Sequence, residues 1–151
     1  MKRDCELMIV NEFGKRAIFI DTENKEQILE YLFRTDKHKK KFGYISKHVL
    51  DGLRNTEIYD KEEINDKCKN VTAMKFFKGG SNDRLYCKEV STDEGVFVVI
   101  TSILHEKKKS QKNSNRETTK IENVGMYEYS PIMPYKVEIN LSDKETNAMK
   151  A

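Results

Sequence analysis

Residues 74–112 read MKFFKGGSNDRLYCKEVSTDEGVFVVITSILHEKKKSQK. Three β-like runs follow one another there, at 74–78, 84–90 and 96–104. Gly79-Gly80-Ser81-Asn82-Asp83 separates the first two, and residues 91–95 separate the last two. Short apolar runs broken by Gly, Asn and Asp predict an antiparallel meander, because those residues suit tight hairpin turns. The middle run alternates. Arg84, Tyr86 and Lys88 take one face, and Leu85, Cys87 and Glu89 the other. Val96, Phe97, Val98, Val99 and Ile100 are all apolar, the pattern of a central strand covered on both faces. That strand runs on to a basic cluster, Lys107, Lys108, Lys109 and Lys112.

Upstream, Cys5–Val10 and residues 17–20 are apolar runs around Asn11-Glu12-Phe13-Gly14. They predict a hairpin, or one strand with a frayed start. Asp21-Thr22-Glu23 offers capping oxygens. Ile28, Leu29, Leu32 and Phe33 then recur at helical spacing over residues 25–34. Phe42, Ile45, Val49, Leu50 and Leu53 repeat that spacing over 37–54. Residues 55–70 form a polar connector. Beyond the meander come a basic loop at 107–114 and a short helix at 115–123. Residues 124–129 and 135–141 suit a further strand or a packed extension, with Pro131 and Pro134 fixing the turn between them. The expected fold is α+β, with two N-terminal helices packed on one face of a small antiparallel sheet. One domain spans 1–125, and 126–151 is an extension.

The chain has 151 residues, enough for a single domain with its own core. Charged residues make up 35% and the net charge is only +3, so the distribution of charge is more informative than its sum. Lys37, Lys39, Lys40 and Lys41 form one basic run, and residues 107–120 carry another. Acids gather elsewhere, at Glu23, Glu26 and Glu30 and within 60–66. Unbalanced basic patches on a nearly neutral chain point to a polyanionic partner. Cys5, Cys68 and Cys87 are odd in number and have no CxxC spacing. No signal peptide is recognisable, and no run approaches the roughly 18 apolar residues of a membrane span. A reduced, cytoplasmic protein with no membrane association is expected. No histidine or cysteine pair has ligand spacing with a third donor, so neither metal nor cofactor is expected.

RNA can be cut by its own 2′-hydroxyl without a metal. The reaction needs a proton acceptor, a proton donor and cations around the phosphorane-like transition state. Arg84 suits the last role, since its fork matches phosphate oxygens. Lys88 shares its face, Lys75 and Lys78 lie on the neighbouring run, and Lys108, Lys109 and Lys112 follow the third. His105 is the histidine near them and the acid–base candidate. Its parity matches Phe97, Val99, Thr101 and Ile103, which leaves it at the sheet edge. Arg84, His105, Lys108 and Lys109 are therefore the candidate catalytic residues. Lys75, Lys78, Lys88 and Lys112 are the candidate RNA and phosphate contacts. Tyr127, Tyr129 and Tyr135 offer rings for base stacking or for packing of a C-terminal strand.

Gly80-Ser81-Asn82-Asp83-Arg84-Leu85-Tyr86 follows a glycine-rich turn. An apolar strand then leads to Lys108-Lys109-Ser110-Gln111-Lys112 and a polar helix opening Asn115-Arg116-Glu117. This stretch resembles the RelE/ParE toxin superfamily, in its HigB-like branch. The resemblance implies a metal-independent, ribosome-dependent mRNA endonuclease. Such a protein is the toxin of a type II toxin–antitoxin pair, with mRNA on the ribosome and a cognate antitoxin as partners. It departs from the pattern at Glu106, where the family usually has Phe, and at Asn113-Ser114 in place of Thr-Pro. The alternative is a non-catalytic relative that acts by binding a protein, on a gyrase-type target or as a phage or mobile-element accessory factor.

Overall fold

The computed structural model describes residues 1–107 and 115–133. Ala17, Ile18, Phe19 and Ile20 are all buried. A strand with no exposed side chain belongs in the middle of a sheet that has a layer on each face. That strand, β2 (Arg16–Asp21), lies between β1 (Cys5–Val10) and β6 (Phe97–His105). The six-stranded sheet is completed by β3 (Tyr59–Lys61), β4 (Val71–Phe76) and β5 (Asp83–Ser91), in the order β1-β2-β6-β5-β4-β3. β2 runs parallel to β6, and the other neighbouring pairs are antiparallel.

The expected architecture is corrected on three points. Strands come first, the sheet is mixed, and helices are interspersed and cover both faces rather than one. The cause lies in the two fully apolar runs. Residues 17–20 and 96–100 both need cover on two sides, and placing them side by side lets the same two layers serve both. A parallel pair requires a long crossover. Here it passes through α1 (Lys25–Leu32), α2 (Asp36–Asp51) and the strands β3 to β5.

On one face α1 and α2 bury Ile28, Tyr31, Leu32, Phe42, Ile45 and Val49 against Ile18, Ile20, Met74, Leu85 and Val99. The Thr35 side chain caps α2 by accepting from His38 N–H at 3.2 Å, and Gly52 ends it in the left-handed region at φ 70°. On the other face lie α3 (Asn115–Met126), through Ile121 and Val124, and the segment after it, through Tyr127, Tyr129 and Met133. A Cβ at Gly125 would overlap the carbonyl of Lys67, so only glycine lets α3 approach the short 3-10 turn at Asp66–Cys68.

The meander forms as β4, β5 and β6, with one irregularity. Tyr86 faces Ile103 but Cys87 faces Thr101, so Ser102 is an extra residue in β6. Such a bulge turns the side chains beyond it to the opposite faces. Leu104 joins the α1–α2 side of the core, and His105 turns toward α3. Among the described residues no helix is long and apolar enough to cross a membrane.

Candidate active site

Lys75 on β4 stands opposite Arg84 on β5, and Arg84 stands opposite His105 on β6. Directly opposed residues on neighbouring strands project side by side from one face. The bulge is what admits His105 to this row, since uninterrupted alternation would send it to the α1–α2 side. The N-terminal half of α3 closes over the row. Glu117, Ile121 and Val124 recur at the spacing of its buried stripe, so Glu117 occupies a core position and is only 1% exposed.

That carboxylate is held by its neighbours. The Tyr86 hydroxyl donates to Glu117 Oε2. Lys107 Nζ lies 3.5 Å from the same oxygen, and the lysine side chain is just 8% exposed. His105 Nε2 lies 3.9 Å from Oε1. Lys120, one turn along α3, places Nζ 3.1 Å from His105 Nδ1 and 3.3 Å from the Leu104 carbonyl. An ammonium only donates, so Nδ1 accepts and the neutral ring carries its proton on Nε2.

The titrating groups are tuned by the same packing. Burial, followed by the charge of Lys120, pushes the His105 pKa below its ordinary value. Burial, followed by Arg116, lowers that of Lys120. Glu62, directly after β3, is half-buried, and burial raises its pKa against the opposing pull of Arg84 and Lys75. Burial and the bond to Glu117 push the Tyr86 phenol up, so it stays a donor. Arg84 Nη1 donates to the backbone carbonyls of Asn82 and Asp83 at 3.2 and 3.3 Å. Among the described residues no carboxylate forms an ion pair with Arg84, which keeps donors for an oxyanion.

Of the residues singled out from sequence, Arg84, His105 and Lys75 come together. Lys75 sits at the rim, with Nζ 3.0 Å from the Thr56 carbonyl and 3.8 Å from Asp60. Lys88 shares the face but lies at its far end, donating to the Gly125 carbonyl at 2.5 Å. Lys78 is exposed in the β4–β5 turn. Lys108, Lys109 and Lys112 fall outside the described residues, as does Tyr135. Tyr127 and Tyr129 pack against Ala17, Phe19 and Val98. Five residues at the site were not among the candidate catalytic or phosphate contacts: Glu62, Tyr86, Lys107, Glu117 and Lys120. The signal for Glu117 was present, as an acid on the apolar stripe of an amphipathic helix. Among the described residues no cluster of His, Cys, Asp and Glu is arranged to hold a metal ion.

No family model matches the chain, and no curated protein or solved structure matches it either. The site itself carries what can be read of function. It combines an arginine with open donors, half-buried lysines, a carboxyl held above the ordinary range and an imidazole N–H backed by an ammonium. That set can bind a phosphodiester, take up one proton and deliver another.

Proposed function

We propose that the protein is a metal-independent endoribonuclease. The observation that carries this reading is the row Lys75–Arg84–His105, set beside Glu62 and Glu117 under α3. Arg84 and Lys107 hold the non-bridging oxygens of the scissile phosphate. Glu62 takes the proton of the 2′-hydroxyl as its oxygen attacks phosphorus. The bond from phosphorus to the 5′-oxygen breaks, leaving a 2′,3′-cyclic phosphate. His105 delivers its Nε2 proton to the departing 5′-oxygen while Lys120 passes a proton to Nδ1, so the proton Glu62 gains is matched by the one Lys120 gives up and none is lost. Glu117 is a positioning residue that orients Lys107 and His105.

The resemblance over residues 74–117 narrows the substrate to messenger RNA on the ribosome. It makes the protein the toxin of a two-protein pair, working in the cytoplasm and covered at rest by an acidic antitoxin. Purified protein added to cell-free translation, with message ends mapped, tests this beside Arg84→Ala and Glu62→Gln. Ribosome-dependent cuts that both variants lose are the expected result. Inhibition without cuts would replace it with a protein-binding mode of action, and no effect at micromolar protein would overturn it.

A further inference from the structure

The β4–β5 turn holds an aromatic residue in a conformation aromatics rarely adopt. Phe77 has φ 53°, in the left-handed region where a bulky side chain is an outlier. Such strain persists where the surroundings impose it, and it clusters at ligand clamps. Here Gly80 N–H donates to the Phe77 carbonyl at 2.7 Å, and the ring meets His38 edge-on with centroids 4.9 Å apart. His38 is in turn set edge-on against Tyr31 at 4.8 Å. The result is a fixed aromatic wall on one side of a cleft of about 510 Å³, within the range of small-molecule sites.

The cleft's charges favour a nucleotide. Lys37, exposed at the start of α2, has Nζ 5.0 Å from the Phe77 ring centroid, and Arg34, paired with Glu30 and Glu106, also lines the cleft. Both acids at the border are already engaged. Asp83 accepts from the Tyr31 hydroxyl at 2.6 Å, from Ser81 Oγ at 2.9 Å and from Lys107 N–H at 3.0 Å, while Glu106 is gripped by Arg34 at 2.8 Å. Lys107 joins the cleft to the active site, because it lines the one and reaches Glu117 in the other.

We propose that this cleft is a nucleobase subsite for the nucleotide next to the scissile phosphate. The base stacks on Phe77, displacing the flexible Lys37 ammonium onto the neighbouring backbone phosphate, and the chain passes over Lys107 to Arg84. This rests on the endoribonuclease reading and adds where the enzyme grips its substrate. Aromatic stacking tolerates any base, so the grip positions the strand more than it reads sequence.

The test uses ribosomes programmed with a short message carrying a single abasic nucleotide at successive positions around the mapped cut. With the full-length protein, one flanking position is expected to slow cutting about tenfold when its base is missing. Phe77→Asn removes the ring while keeping a residue that tolerates positive φ. This variant should cut intact message as slowly as the wild type cuts that abasic one, and should no longer sense the missing base. Phe77→Trp should keep the effect, and Lys37→Ala should slow cutting at every position by a smaller factor. An abasic profile unchanged in Phe77→Asn would overturn the subsite, while loss of cutting in Arg84→Ala would leave the active site standing. No cutting by the wild type would overturn both.

Discussion

Two polar clusters lie on the same face of the sheet, and they are built differently. In one, Asp21 is completely buried and surrounded by donors: Arg3 at 3.0 and 3.1 Å, the Tyr129 hydroxyl at 2.7 Å and Asn24 N–H at 2.9 Å. Tyr129 is shared with Ser102 at 2.5 Å, and Arg3 stacks over Tyr127 at 4.2 Å. Arg3 is shared between Asp21 and Glu23, at 3.0 Å from each, and the donors point inward, so the cluster ties the segment after α3 to β2. In the other, Arg84, Lys107 and Lys120 gather around Glu62 and Glu117 with positive charge in excess. The first cluster is complete without a ligand. The second, among the described residues, sets three cations around two carboxylates, as the proposed phosphate contact requires. Burial alone does not distinguish a structural network from a site, but the balance of charge does.

That contrast is breakable. Asp21→Asn leaves Arg3 with only the exposed Glu23 as ionic partner and should cost about 2–4 kcal/mol in urea unfolding, with RNA cutting per folded molecule nearly intact. Arg84→Ala should do the reverse. Turnover should fall by about 10²–10³-fold in single-turnover message cleavage, and the stability change should stay under about 1 kcal/mol. If both variants changed stability alike, the division between the clusters would fail. Gly125→Ala forces α3 away from Lys67 and should cost about 1–3 kcal/mol by overpacking. Because α3 carries Glu117 and Lys120, cleavage should weaken with it, whereas tyrosine fluorescence from the Tyr129 side should change little.

The smallest effect is in the pH profile of kcat/KM. Glu62 must be ionised, so the rate rises through a value above 4.5, the ordinary carboxyl. Lys120 must carry its proton, so the rate falls through a value below 10.5. Lys120→Met removes one of the influences depressing the His105 pKa. The imidazolium then becomes the proton donor, and the alkaline limb should move down toward 6.5, the ordinary histidine value. An alkaline limb that stays in place would remove Lys120 from the relay.

Much of this was legible in the chain, and the failures have physical causes. Alternation along 84–90 placed Arg84, Tyr86 and Lys88 together, because period-two geometry is local. The parallel pairing of β2 with β6 joins residues some eighty positions apart, and no local pattern encodes such a choice. Its trace was the matching apolar character of 17–20 and 96–100, which asked for helices on both faces. Alternation carried through Ser102 gave His105 the parity of Phe97 and Val99 and left it at the sheet edge, whereas the bulge sets it opposite Arg84. The adjacent polar pair Thr101-Ser102 inside an apolar run marked the break. Glu62 could not have been found, since its role depends on β3 folding back beside β4.

The bulge at Ser102 makes the end of β6 a structure with a single binary setting. Closing the bulge with Ser102 retained, so that Ser102 rather than Ile103 stands opposite Tyr86, would leave the composition, the charge and nearly all of the core unaltered, yet exchange the destinations of Leu104 and His105. The imidazole would then face the α1–α2 layer and an aliphatic chain would stand beside Arg84. A one-residue slip in register at the end of β6, with every residue kept, thus separates an imidazole beside Arg84 from one turned away from it.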